Sequence, residues 1–198
     1  MKSYQLTKII KSLPASIPFV SPEEHERDVG RQFIARIGAN ENCYGQSPKV
    51  LEAIINASHD VWKYPDPTAH TLKKELAKFY NISDKNIIVG EGIDALLGYL
   101  VRLLIQVGDT AVTSNGSYPT FNYHVAGFGG KLVKCDYRDD KEDLRLLIDT
   151  AAQTKAKLIY FSNPNNPMGT WTRGEKILSL LDNLPNDCLL ILDEAYAE

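Results

Sequence analysis

Cysteine is scarce. Cys43, Cys135 and Cys188 stand far apart, and no Cys-x-x-Cys pair exists. That pattern excludes a disulfide framework and a zinc ribbon. It leaves the thiols to read as buried and reduced, in a cytoplasmic chain. Basic blocks are missing too: 22 Lys and Arg stand against 25 Asp and Glu, a formal charge of −3. A nucleic-acid surface needs a clustered positive face, so no nucleic-acid partner is expected. No apolar run approaches the roughly 18–20 residues that a membrane helix requires, and no membrane partner is expected either. The opening segment MKSYQLTKIIKSLP lacks the basic end, apolar stretch and cleavage site of a signal peptide. Internal repeats and low-complexity segments are absent. What remains is ordinary globular composition, 43% hydrophobic and 24% charged over 198 residues. That excludes a disordered tail, a collagen-like repeat or a coiled coil and suffices for one good-sized core or two small ones.

Residues 1–38 differ from the rest. A short amphipathic stretch precedes a proline-rich arm, and the apolar run Phe33–Ile37 reads as a first short strand. A helix is expected from Ser47, which can cap it, with Pro48 at the first helical position. Val50, Leu51, Ile54 and Ile55 are expected to form its buried face. The loop Lys63-Tyr64-Pro65-Asp66-Pro67 follows, then a helix with Leu72, Leu76 and Phe79 at helical spacing.

From there strands and helices alternate. Strands are expected at 86–89, 110–114, 131–136, 158–161 and 189–192. Helices are expected at 94–106, 121–128, 142–154 and 172–184, the last with a Thr172–Glu175 capping box. Apolar strands without alternation, separated by helices, predict a mainly parallel sheet covered on both faces. In such sheets ligands sit at the carboxyl ends of the strands.

Those ends carry the informative residues. Gly90-Glu91-Gly92-Ile93-Asp94-Ala95 opens a helix and formally matches a dinucleotide-binding turn. That reading also wants an acid ending the next strand, about 20 positions on. Asp109 lies at roughly that distance but precedes its strand. A glycine-rich turn at a helix start suits one phosphate, and it serves equally as a plain tight turn. Ser117-Tyr118-Pro119-Thr120-Phe121 follows the strand at 110–114, where Tyr118 can face a ring-shaped ligand or wedge the loop against the core. Ser162-Asn163-Pro164-Asn165-Asn166-Pro167-Met168-Gly169 is a turn unusually dense in amides. Asp193-Glu194-Ala195-Tyr196 ends an all-apolar strand. An acid so placed needs a cation or donor if buried, or else caps the next loop at the surface.

Taken in order, with Asn40-Glu41-Asn42-Cys43-Tyr44-Gly45 and Tyr64-Pro65-Asp66-Pro67 upstream, these segments resemble fold-type I pyridoxal-phosphate enzymes. Within those the chain is most similar to the histidinol-phosphate aminotransferases. The resemblance runs from about Ala39 to the end. It implies a three-layer α/β/α large domain with a mainly parallel sheet, incomplete at the C-terminus, over residues 39–198. Residues 1–38 would then be the arm and first strand of a small domain. It implies pyridoxal 5′-phosphate as cofactor, with Asp193 on the ring nitrogen, Asn166 and Tyr196 on the phenolic oxygen and Tyr118 stacked on the ring. Main-chain N–H groups of Glu91, Gly92 and Ile93 would hold the phosphate. Tyr64 would reach the cofactor phosphate of a second subunit in a homodimer. Asn40, Asn42 and Tyr44 would help form the substrate entrance. The implied reaction moves an amino group between an amino acid and a keto compound, histidinol phosphate with 2-oxoglutarate in the nearest relatives.

The chain departs from the pattern at Cys43, where proline is usual, and at Met168, where threonine is common. The Schiff-base lysine of these enzymes follows the Asp-Glu-Ala-Tyr segment, and here only five residues follow Asp193. Lys155, Lys157 and Lys176 stand in no matching context. The expectation is an N-terminal portion of a longer enzyme, inactive and poorly soluble alone. Alternatives are a threonine-phosphate decarboxylase-like enzyme, an aromatic or aspartate-type aminotransferase, a dinucleotide-binding domain, or a non-catalytic protein.

Overall fold

A computed structural model describes residues 4–14, 20–36 and 38–197. The chain forms two compact units, residues 1–18 with 90–198, and residues 19–89.

The larger unit contains helix α1 (Lys8–Ser12) and then the alternating elements. The smaller unit contains α2 (Pro22–Val29), α3 (Pro48–Ala57) and α4 (His70–Tyr80). Beyond it come α5 (Gly92–Leu104), β1 (Thr110–Ser114), α6 (Pro119–Gly127), β2 (Lys131–Cys135), α7 (Leu144–Thr154), β3 (Leu158–Ser162), α8 (Gly174–Leu181) and β4 (Leu189–Asp193). The four strands run parallel in the order β2-β1-β3-β4. Their register sets Ser114 beside Cys135 and Ser162 beside Asp193, so the strands end together.

Alternating side chains along each strand serve two separate apolar layers. On one face Ala111, Leu158, Tyr160 and Ile191 pack with Leu97 and Val101 of α5 and Phe121 and Val125 of α6. On the other, Val112, Ile159 and Phe161 pack with Leu144, Leu147, Ile148 and Ala151 of α7 and Ile177 and Leu180 of α8. The result is the three-layer α/β/α arrangement that both-face burial demands of a parallel sheet. Helices α5 and α6 approach closely at Gly98, where an added Cβ would lie 2.9 Å from the His124 ring.

In the smaller unit no described residue is buried. Asp66 organises the turn into α4. Its Oδ1 accepts from the Thr68 hydroxyl at 2.7 Å and the Thr68 N–H at 2.9 Å, and its Oδ2 accepts from the His70 N–H at 2.9 Å. The Thr68 hydroxyl, then these N–H groups, hold the Asp66 carboxyl down at about 2.

Several elements differ from the sequence-based expectation. Phe33–Arg36 form no strand, and Ile37 lies outside the described residues. Ile87–Val89 form no strand either: Ile87 is extended, but an extended segment without a ladder partner is not a strand. Helix α2 occupies part of the proline-rich arm because Ser21 accepts from the Glu24 N–H at 3.2 Å and Pro22 sits in the first turn. Pro48 does open α3, but the Ser47 side chain makes no cap bond. Val50, Leu51, Ile54 and Ile55 are 45–58% exposed, since an apolar stripe names the face that wants cover without supplying the cover. Helix α8 starts at Gly174 without a capping box, because the Thr172 N–H is donated to Asn163 Oδ1 at 2.7 Å. Helix α7 starts after Asp143, whose carboxylate accepts from the Leu146 N–H. Cys135 and Cys188 are buried free thiols, and burial pushes Cys188 up to about 11. Cys43 is free but exposed, contrary to expectation.

Candidate functional site

At the carboxyl edge of the sheet, on the α5/α6 side, a cleft is lined by Ile93, Tyr118, Tyr160, Ser162, Pro164, Asn166, Asp193, Ala195 and Tyr196. Five residues singled out from the sequence therefore meet in one place: Ile93, Tyr118, Asn166, Asp193 and Tyr196. They come from the start of α5, the start of α6, the loop after β3, and the end of β4.

Asp193 is the charged member of this lining and is buried. Its Oδ2 accepts from the Tyr160 hydroxyl at 2.5 Å, and its Oδ1 accepts from the Ala195 N–H at 3.0 Å. Among the described residues lining the cleft none is basic, and no ion pair of this carboxylate forms among them. A buried carboxylate without a cation is costly, so the site favours a cationic N–H arriving from outside the chain.

Tyr118 caps α6, with Pro119 at the first helical position. Its hydroxyl donates to Asp94 Oδ2 at 3.3 Å, which ties the ring to the first turn of α5. Burial raises the Tyr118 phenol above its ordinary range, and the Asp94 bond pushes the same way.

The amide-rich loop after β3 divides its labour. Asn163 is a staple: its N–H extends the β3–β4 ladder to the Asp193 carbonyl, its Nδ2 donates to the Thr172 carbonyl at 3.0 Å, and its Oδ1 accepts from the Thr172 N–H. Asn165 is a second, buried staple, with Nδ2 donating to Ser162 Oγ and Tyr137 Oη, and Oδ1 accepting from the Met168 N–H. Asn166 is the amide of the three that lines the cleft. Beneath the loop, buried Glu142 holds the end of β3: its Oε2 accepts from the Ser162 N–H at 3.0 Å and hydroxyl at 3.1 Å. Its Oε1 has no hydrogen-bond partner among the described residues. Replacing Glu142 with leucine strands both Ser162 donors and is expected to lower stability by about 1–3 kcal/mol. Glutamine retains an acceptor and is expected to lose less. Urea midpoints of the two variants check this; a leucine variant as stable as the parent would contradict it.

The start of α5 is less open than the sequence suggested. Gly92 has φ of 76°, a conformation that favours glycine. Its N–H is already donated to the Gly90 carbonyl at 2.9 Å. Ile93 and Asp94 stand in the first turn, where N–H groups have no helical carbonyl to bond. Glu91 accepts from the Tyr99 hydroxyl at 3.0 Å through its side chain.

Asn40, Asn42, Tyr44 and Tyr64 belong to the smaller unit. Asn42 closes its own turn, accepting from the Tyr44 N–H and donating to the Gly45 carbonyl. Tyr44 and Tyr64 are fully exposed. Four lining residues had no site role in the sequence reading: Tyr160, Ser162, Pro164 and Ala195. The signal for Tyr160 was a single hydroxyl inside the otherwise apolar run Leu158–Phe161.

Residues 34–198 match the family model for aminotransferase class I and II. The chain belongs to that family. Histidinol-phosphate aminotransferase 2 of Carboxydothermus hydrogenoformans is 35% identical over 191 residues, covering 96% of this chain and 52% of that protein. The histidinol-phosphate aminotransferase of Desulfotalea psychrophila is 33% identical over 189 residues, 96% of this chain and 49% of that protein. Among solved structures, the histidinol-phosphate aminotransferase of Sinorhizobium meliloti in complex with pyridoxal-5′-phosphate superposes with a TM-score of 0.93 at 50% identity. It covers 99% of this chain and 52% of that one. The chain thus spans about half the length of the relatives it matches. No helix among its described residues is long and apolar enough to cross a membrane.

Proposed function

We propose that this aminotransferase chain forms the greater part of a pyridoxal 5′-phosphate cradle. The enzyme it serves moves an amino group between histidinol phosphate and 2-oxoglutarate in histidine biosynthesis. The observation that carries the cofactor reading is Asp193, a buried carboxylate with neutral donors and no cation among the described residues, lining a cleft with an aromatic ring and an amide. That donor set fits the cofactor: a protonated pyridine nitrogen is the cation the acid lacks. The chemistry the cofactor supplies when bound is an electron sink for the substrate carbon.

The chain's own groups have separable tasks. Asp193 holds a proton on the ring nitrogen by favouring its charged form. Tyr118 covers the ring face and excludes water. Asn166 and Tyr196 donate toward the phenolic oxygen and bias it to the ionised state. N–H groups at the start of α5, with Glu91, Gly92 and Ile93, face the phosphate. Tyr64 reaches the phosphate in a second subunit of a cytoplasmic homodimer, and Asn40, Asn42 and Tyr44 border the substrate entrance. The division into residues 1–38 as small-domain arm and 39–198 as cofactor domain belongs to this same reading. The names of the relatives support histidinol phosphate, and 2-oxoglutarate follows from the resemblance alone.

No lysine lines the cleft among the described residues, so the chain alone is expected to hold the cofactor without a covalent bond. Titration with pyridoxal phosphate is expected to shift the cofactor's absorbance reversibly on dialysis. Added glutamate is expected to give no turnover, and borohydride no stoichiometric lysine adduct. Failure to bind contradicts the cofactor reading. A trapped adduct or turnover contradicts the division of labour.

A further inference from the structure

Tyr160 sits inside a five-residue strand that is otherwise aliphatic, aromatic or hydroxyl-ended, and it is fully buried. Its ring stacks on Phe121 with centroids 5.0 Å apart and planes 16° from parallel. In the β3–β4 register Tyr160 lies beside Ile191, and Asp193 lies beside Ser162. Leu158, Tyr160, Ile191 and Asp193 alternate onto the same face, so the Tyr160 hydroxyl reaches diagonally, two residues along, to Asp193. Only a long, rigid side chain spans that diagonal. The other oxygen of the carboxylate is tied to the Ala195 N–H.

We propose that Tyr160 is a positioning residue, whose hydroxyl fixes the Asp193 carboxylate in one plane and in its ionised form so that the remaining lone pairs meet a cationic N–H in the cleft. This rests on the cofactor reading above. Each carboxylate oxygen can accept about two hydrogen bonds, so the bonds to Tyr160 and Ala195 leave acceptor capacity for a ligand. A hydrogen bond donated to the charged form favours that form. A neutral carboxyl would still accept from the Tyr160 hydroxyl, but more weakly than the carboxylate does.

The other titratable groups around Asp193 offer no substitute. Tyr118 faces it from the start of α6 and Tyr196 from the chain after β4. Asp94 approaches from α5 through its bond to Tyr118, and Glu142 from the segment before α7 through Ser162. All are acids or phenols, so none of them supplies a cation, and Tyr160 meets the carboxylate with a neutral donor. Burial drives the Tyr160 phenol far above its ordinary range, with the Asp193 bond adding to it, so the hydroxyl keeps its proton as donor.

The test compares the chain with Tyr160→Phe, which keeps the ring and its stack and removes one oxygen. Pyridoxal phosphate affinity is measured across the acidic and neutral pH range. The variant is expected to bind about tenfold more weakly, as loss of a hydrogen bond to a charged group implies. The acid limb of its binding profile is expected to move to higher pH, because the variant lacks a donor that favours the charged carboxylate. In the unliganded chain, the carboxyl carbon of Asp193 is expected to titrate at higher pH in the variant by nuclear magnetic resonance. A uniform fall in affinity with no displacement of either titration assigns Tyr160 to packing alone and overturns the proposal. Should the parent chain fail to bind the cofactor, the functional reading falls, while the carboxyl titration still decides the coupling. A measurement on the parent alone guards against a misfolded variant: the Tyr160 ring carbons are expected to shift with the same midpoint as the Asp193 carboxyl, and independent midpoints overturn the proposal.

Discussion

Asp193→Ala is expected to weaken pyridoxal phosphate binding from roughly thirtyfold to a few thousandfold, the largest loss of any single substitution in the cleft. Truncating one partner of a buried, hydrogen-bonded charge pair costs about 2–5 kcal/mol, and each 1.4 kcal/mol is about tenfold. The cost has two parts here. The ligand loses its counter-charge in a cleft whose described lining offers no other. The Tyr160 hydroxyl, buried and bonded to Asp193 Oδ2, loses this acceptor, which lowers the stability of the unliganded chain as well. Asp193→Asn separates them. Its carbonyl oxygen can still accept from Tyr160, although its amide nitrogen cannot accept from the Ala195 N–H, so stability is expected to fall less than in the alanine variant while binding falls by at least tenfold. Fluorescence titration with the cofactor and urea unfolding of the same samples measure the two parts. An alanine variant binding within threefold of the parent would show that the acid does not meet the ligand.

The sequence revealed this acid more readily than its partner, for a physical reason. An ionisable residue ending an apolar strand stands out against its neighbours, as Asp193 does after Leu189–Leu192. Tyr160 does not stand out, because tyrosine is a common strand residue and its role depends on the register of β3 against β4. The four parallel strands and helices α5 to α8 were legible because both-face burial leaves continuous apolar runs. The segments at 33–37 and 86–89 show the limit of that signal. An apolar run predicts a strand only where a ladder partner exists, and Ile87–Val89 have none among the described residues. Helix α2 was missed: Ser21-Pro22-Glu23-Glu24 is a capping signature, but the prolines around it made the stretch read as an arm. Within the Asn163–Asn166 loop, composition showed the density of amides. Only hydrogen-bond geometry separated the two structural asparagines from Asn166.

Phe121→Ala is expected to cost about 3–5 kcal/mol of stability, the range for emptying a large buried aromatic site. Phe121 is fully buried between α6 and the sheet, and its stacking on Tyr160 adds to the area it removes from water. Against a total stability of about 5–15 kcal/mol for a typical domain, that loss removes a large share of what holds the larger unit together. Phe121→Leu fills most of the volume and is expected to cost less than half as much. The opposite layer provides the control. Leu147 of α7 is equally buried, and Leu147→Ala is expected to cost about 2–5 kcal/mol by opening a cavity on the face away from the cleft. Denaturant midpoints compare the three variants at constant m-value. The two faces should then part company in ligand binding, measured under conditions where each variant is still folded. With Phe121 gone, the Tyr160 ring loses the surface that fixes its plane, and its hydroxyl no longer holds Asp193 in one orientation. Pyridoxal phosphate affinity is therefore expected to fall in Phe121→Ala and to remain near the parent value in Leu147→Ala. Equal affinities in the two folded variants would show that Asp193 keeps its orientation without the Phe121–Tyr160 stack.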